Sequence, residues 1–183
     1  MCVSSDGTRN IVLVGFMGSG KTSVGAELAR RLGWELVDTD ELVEARAGTT
    51  IVDIFAREGE ARFRDLETAA VREAASRRCA VIATGGGAVL RQENVAALRE
   101  SGTLFLLDAT AEELFRRVME MDHPRRPLLD VPDPMRAIRE LLHARRPFYG
   151  LADVEIPTTG RAVDRIVEDV LRHHRSAPNR GKT

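Results

Sequence analysis

Residues Gly15-Phe16-Met17-Gly18-Ser19-Gly20-Lys21-Thr22 fit the pattern G-x-x-x-x-G-K-[ST] at every fixed position. The chemistry such a stretch performs is phosphate binding. Its glycines let the backbone fold around an anion with several N–H groups pointing inward, and a following helix adds a partial positive charge. Lys21 then sets a compact ammonium on the β- and γ-phosphates, and the Thr22 hydroxyl can ligate magnesium. A turn that merely joined a strand to a helix would need the glycines but neither Lys21 nor Thr22. Composition sharpens the contrast, because of 27 basic residues only Lys21 and Lys182 are lysine. Guanine-specific switches carry [NT]-K-x-D after a later strand, and neither lysine stands in that setting. Adenine nucleotides are favoured.

A phosphate loop does not name the acceptor, so the other reactive side chains matter. In Asp38-Thr39-Asp40 one carboxylate can hold magnesium while the other faces an acceptor hydroxyl. The same spacing allows Asp38 or Thr39 simply to cap a helix beginning at Asp40. Asp108, at the end of the apolar run Leu104–Leu107, is a second choice for magnesium, although the neighbouring Thr110 explains it as part of a helix start. Gly85-Gly86-Gly87 permits close backbone approach to a ligand, at an entropic cost that a plain turn rarely needs. Arg64, Arg126 and Arg145 are candidates for anion binding, yet each alone reads as an ordinary solvated arginine. His123 and His143 are isolated and His173-His174 lie near the end, so no zinc site is expected.

The elements that must position these residues follow from periodicity. Short apolar runs at Ile11–Val14, Glu35–Val37, Ala80–Thr84, Thr103–Leu107 and Val154–Ile156 read as strands. Helical spacing separates them. Val24, Leu28 and Leu32 share a face that stops at Gly33, and Phe63, Leu66, Ala70 and Ala74 share another between Glu60 and Ser76. Thr50 and Asp133 before Pro134 look like helix caps, Thr110 with Glu113 has capping-box spacing, and a helix covers Val163–Arg172. Five β-α alternations predict an α/β fold with a five-stranded parallel sheet and helices on both faces. Residues 121–133, rich in proline and without helical periodicity, read as a long loop of the kind that serves as a lid. The polar stretch 173–183 reads as a disordered tail.

With 183 residues, 43% hydrophobic and 30% charged, the chain is expected to be one globular domain, residues 1–183. A formal net charge of −1 gives no basic field for nucleic acid or membrane. No transmembrane run or secretory leader is visible, and two cysteines are too few for a disulfide framework. The expectation is a soluble, cytoplasmic monomer.

Taken in order, six motifs resemble the shikimate kinase family over nearly the whole chain. They are the phosphate loop, Asp38-Thr39-Asp40, Phe63-Arg64-Asp65-Leu66-Glu67, Gly85–Gly87, Arg126-Pro127-Leu128-Leu129, and Arg145-Arg146-Pro147-Phe148-Tyr149. The resemblance implies a three-layer P-loop kinase fold with a mobile lid, magnesium as cofactor, and phosphoryl transfer from ATP to the 3-hydroxyl of shikimate. It implies Lys21, Asp40 and Arg126 as catalytic residues, and Gly18, Ser19, Gly20, Lys21, Thr22, Ser23, Arg117 and Arg126 around ATP, with Arg117 stacking on adenine. Asp40, Arg64, Gly86 and Arg145 would bind shikimate, the two arginines clamping its carboxylate. Thr22 and Asp38 would serve the metal. The rival readings are another small-metabolite or nucleoside-monophosphate kinase, and a nucleotide-binding module without catalysis.

Overall fold

The structure, a computed structural model, describes residues 9–120 and 127–176. Five strands, β1 (Asn10–Val14), β2 (Glu35–Asp38), β3 (Ala80–Ala83), β4 (Gly102–Asp108) and β5 (Val154–Pro157), form one sheet in the order β2-β3-β1-β4-β5. Every pairing is parallel. Among the described residues, eight α-helices connect and cover them: α1 (Lys21–Leu32), α2 (Thr39–Ala47), α3 (Ile51–Arg57), α4 (Gly59–Ala75), α5 (Gln92–Ser101), α6 (Ala111–Glu120), α7 (Pro134–Tyr149) and α8 (Val163–Ser176).

Strand β1 shows why the sheet sits inside. All five of its residues are buried, and they alternate between the two layers. Val12 and Val14 pack with Val71 and Ala74 of α4 and Leu98 of α5 on one face. Ile11 and Leu13 pack with Val24 and Leu28 of α1 and Val167 and Val170 of α8 on the other. Strands covered on both sides read as continuous apolar runs, as these do. Because the chain runs from β1 out to β2 and returns past β1 to β4, the order reverses at the carboxyl end of β1. Open α/β sheets place their ligands at such a point.

Two smaller apolar clusters flank that end. Val43, Ile54, Phe63, Leu66 and Ala70 tie α2, α3 and α4 into one unit beside β2. Phe16, Leu114, Leu129 and Ile138 tie α6 and α7 together beside β4.

Element boundaries differ from the sequence reading by a residue or so, and two differences are larger. The tail was expected to be disordered from residue 173, but α8 continues to Ser176. Polar composition hid its packing: His174 meets the Trp34 ring edge-on at 5.7 Å, and Ser176 Oγ donates to the Arg172 carbonyl. Residues 177–183 lie outside the described residues. Within the loop expected at 121–133, Pro127–Leu129 form a short 3-10 turn. Leu129 is buried against Phe16, Leu114 and Ile138, so the end of the expected lid is a packed element. Residues 121–126, Arg126 among them, lie outside the described residues.

Candidate active site

The phosphate loop follows β1, and its glycines are required for separate reasons. Gly15, Gly18 and Gly20 all have positive φ, at 143°, 79° and 98°. A Cβ on Gly15 would also stand 2.6 Å from the Leu107 carbonyl oxygen, and one on Gly18 would stand 2.9 Å from the Val118 side chain. So Gly15 seats the loop on β4 and Gly18 seats it on α6. Gly20 precedes α1 and provides no side-chain cap, and the first turn of α1 contains no acid. The N–H groups at that helix end are therefore ready for an anion. Lys21 Nζ donates to the carbonyls of Gly15 and Phe16, each at 2.8 Å, which fixes it along the loop.

Asp38 resolves the two readings of its motif by dividing them between its oxygens. Oδ1 accepts from the Asp40 N–H at 2.9 Å and so caps α2, which begins at Thr39. Oδ2 accepts from the Thr22 hydroxyl at 3.3 Å. The same carboxylate thus starts a helix and meets the phosphate loop. Asp108, the second choice, is tied down through its backbone, its carbonyl accepting from Thr158 N–H and hydroxyl at 2.7 and 3.0 Å, and it is not among the residues lining the cleft beside the phosphate loop.

The glycine triplet has three distinct neighbours. A Cβ on Gly85 would come 2.5 Å from Asp40 Oδ1 and 3.0 Å from Glu67 Oε1. On Gly86 it would press on the phosphate loop at Met17, and on Gly87 it would fall on the Arg64 guanidinium. A plain turn would not need all three bare. Thr39 Oγ1 accepts from the Gly85 N–H at 2.9 Å, joining the triplet to α2. The Gly86 carbonyl accepts from Tyr149 Oη at 2.8 Å and from Arg145 Nη1 at 3.2 Å. What Gly86 can still present to a substrate is its N–H.

Among the described arginines, burial separates two. Arg64 and Arg145 are only 8% and 4% exposed. Arg64 donates to Glu67 at 2.8 Å and to Glu60 at 2.9 Å, while Arg145 lies over the Phe16 ring. Burial works against the Arg64 charge, but Glu67 and Glu60 outweigh it and hold its pKa above the ordinary guanidinium value. Burial pushes the Glu67 carboxyl upward despite Arg64 and Arg145 nearby. Tyr149 is buried too, and its hydroxyl is pushed up to about 12.

Two clefts meet here. The larger, of about 720 Å³, runs along Gly18, Ser19, Gly20, Lys21, Thr22 and Ser23 to Arg117 and Arg161. The second, of about 390 Å³, is lined by Arg64, Glu67, Gly85–Gly87, Leu128, Arg145 and the rings of Phe55 and Phe63. Thr22, Asp38, Asp40 and Gly86 line both. All the expected site residues among the described residues are therefore brought together.

Sequence reasoning assigned no role to Glu67 or Tyr149, although both stand inside quoted motifs. It weighed Thr39 only as a helix cap and assigned no contact to Thr158. Glu67 had a local signal, three residues after Arg64 on one helix. Tyr149 had none, because its partner Gly86 lies 63 residues away.

Comparison with known proteins agrees with this geometry. The family model described as shikimate kinase matches residues 17–175. A shikimate kinase from Symbiobacterium thermophilum is 52% identical over 173 residues, covering 94% of this chain and 99% of the relative. One from Caldanaerobacter subterraneus is 46% identical over 164 residues, covering 90% and 95%. Among solved structures, the shikimate kinase from Acinetobacter baumannii in complex with shikimate superposes with a TM-score of 0.87 at 39% identity, covering 95% of this chain and 96% of that one. A gluconokinase from Sinorhizobium meliloti, at TM-score 0.63 and 21% identity, shares the fold alone. With a family model over most of the described residues and near-full-length relatives at this identity, the chain belongs to the shikimate kinase family.

Proposed function

We propose that the chain works as its family does, as a kinase that moves the γ-phosphoryl group of ATP to the 3-hydroxyl of shikimate. The observation that carries the reading is the meeting of two clefts at Thr22, Asp38, Asp40 and Gly86. One cleft offers backbone N–H groups and Lys21 to a triphosphate. The other offers two buried guanidiniums to a carboxylate, with a carboxylate beside the shared wall for a hydroxyl.

The division of labour follows. Gly18–Ser23 wrap the phosphates, Lys21 neutralises charge growing on the transferring group, and Arg117 supports the base. Arg64 and Arg145 fix the acceptor's carboxylate with planar, bidentate geometry that lysine does not match. Gly86 N–H and Asp40 then orient the acceptor, and Asp40 takes the hydroxyl proton as the new P–O bond forms. Positioning and electrostatics do most of the work in such transfers. Arg126 keeps the catalytic role its motif implies, outside the described residues.

The Thr22–Asp38 pair suits magnesium. Among the described residues no cluster of three His, Cys, Asp or Glu forms a protein-only cage, and magnesium characteristically keeps waters and phosphate oxygens. Bound there, it would shield the β- and γ-phosphates. We further read the chain as one domain, monomeric and cytoplasmic; no helix among the described residues is long and apolar enough to cross a membrane.

The test is ADP release from ATP over a panel of shikimate, its carboxamide, gluconate and nucleoside monophosphates. Turnover is expected with shikimate alone. Preference for gluconate or a monophosphate would overturn the reading, and ATP binding without turnover would favour a non-catalytic module.

A further inference from the structure

The capping box expected at Thr110 and Glu113 forms only by half. Thr110 Oγ1 accepts from the Glu113 N–H at 3.3 Å, but the return bond is replaced: the Thr110 N–H donates to Thr159 Oγ1 at 3.0 Å. The Glu113 carboxylate, released from the backbone, faces the nucleotide cleft and binds Arg117 Nε at 2.8 Å and Arg116 at 2.8 and 3.0 Å. These two arginines, Arg116 first, hold its carboxyl at about 2, so it is an anion throughout the working range.

Arg117 is gripped from the other side as well. Nη2 donates to the Thr158 carbonyl at 2.8 Å, and Nη1 reaches Thr158 Oγ1 and the Gly18 carbonyl, each at 3.3 Å. Thr158 is fully buried and anchored in turn, through N–H and hydroxyl, on the Asp108 carbonyl. The guanidinium is thereby held at all three of its nitrogens between α6, the loop after β5 and the phosphate loop. Gly18 permits this by letting α6 lie against the loop at Val118 and Leu114.

We propose that Glu113 and Thr158 are positioning residues that hold Arg117 ready as the platform for the nucleotide base before the nucleotide arrives. A free arginine side chain loses considerable rotamer entropy when a ligand fixes it, and fixing it beforehand removes that loss from binding. Their effect is confined to the nucleotide, because neither residue lines the acceptor cleft. The proposal rests on the reading of Arg117 as part of the ATP site.

The experiment is steady-state kinetics of Arg117→Ala, Glu113→Ala, Glu113→Gln, Thr158→Val and the double variant Glu113→Ala/Arg117→Ala, with folding checked by circular dichroism. We expect Glu113→Ala to raise KM for ATP about tenfold, the loss of one charge-assisted pair. Glu113→Gln and Thr158→Val should raise it about threefold. KM for shikimate and kcat should stay within about twofold. The deciding measurement is the double variant, which should be no worse than Arg117→Ala, since Glu113 acts only through that side chain. Additive losses would overturn the proposal in favour of direct nucleotide contact or general disruption. A normal KM for ATP in Glu113→Ala, with Arg117→Ala impaired, would overturn it while sparing the Arg117 assignment. A normal KM for ATP in Arg117→Ala would bring down the assignment and the proposal together.

Discussion

On the proposed reading, the two halves of the site recognise anions by opposite means. At the nucleotide end the recognition is mostly main chain: positive-φ glycines, an uncapped helix end and one lysine lying along the loop. At the acceptor end it is side chain: two buried guanidiniums, a buried carboxylate, and bare glycines that make room for them. Main-chain donors fit any phosphate, and few side-chain substitutions can remove them. Buried charged side chains fit one geometry and depend on each neighbour. The first half is therefore general and robust, and the second selective and fragile.

On the proposed reading, the contrast can be broken most severely at Lys21, the side chain that would neutralise charge on the transferring group: Lys21→Ala and Lys21→Arg should both cut kcat by ~10²–10³ with the fold intact. Near-normal turnover in Lys21→Arg, measured by coupled ADP release, would show that any cation suffices and that the loop is less exacting than its geometry implies.

At the acceptor end, Arg64→Ala and Arg145→Ala should each raise KM for shikimate by roughly 10–100-fold, with KM for ATP nearly unchanged. Arg64→Ala also strips Glu67, 1% exposed, of its close partner, so a further loss of about 3 kcal/mol in unfolding free energy is expected. Equal weakening of ATP and shikimate would abolish the distinction between the two ends.

A gentler probe is Gly87→Ala. The backbone there is ordinary, at φ −106°, so the strain falls on the Arg64 guanidinium, which the new methyl should displace at a stability cost no larger than that of Arg64→Ala. KM for shikimate should rise about tenfold, a single charge-assisted pair. If stability fell and KM did not move, the triplet would be structural.

The smallest effect concerns pH. Burial raises the Glu67 carboxyl above its ordinary 4.5, so over the window from there up to its folded value the native chain holds more protons than the unfolded one. Stability should fall as pH rises through that window, and Glu67→Gln should flatten that fall. Identical slopes in chemical unfolding of the two proteins would mean that Arg64 offsets burial fully.

The same division governs what could be read from the sequence. The phosphate loop was legible because the backbone itself demands glycine at fixed spacing. The strands were legible because β1 and β4 are apolar throughout. Arg64 and Arg145 carried no signal singly among so many arginines, and only the ordered set of motifs distinguished them. Where reading failed, a long-range partner had replaced a local one. Glu113 has the spacing to cap Thr110, yet Thr159, 49 residues away from Thr110, supplies that bond. His173–Ser176 look like a polar tail because the ring that covers His174, Trp34, belongs to a distant part of the chain.

The bare first turn of α1 also bears on how the protein survives between catalytic cycles. A helix end whose N–H groups are completed by a phosphate makes the nucleotide a component of the folded state, and linkage then adds stability with every increment of free ligand. At a concentration near 100 times Kd the gain is about 2.7 kcal/mol, enough to lower the unfolded population roughly a hundredfold. In a cell, resistance to proteolysis should therefore follow the free concentration of phosphate-bearing nucleotide, and depletion of that pool should shorten the enzyme's lifetime.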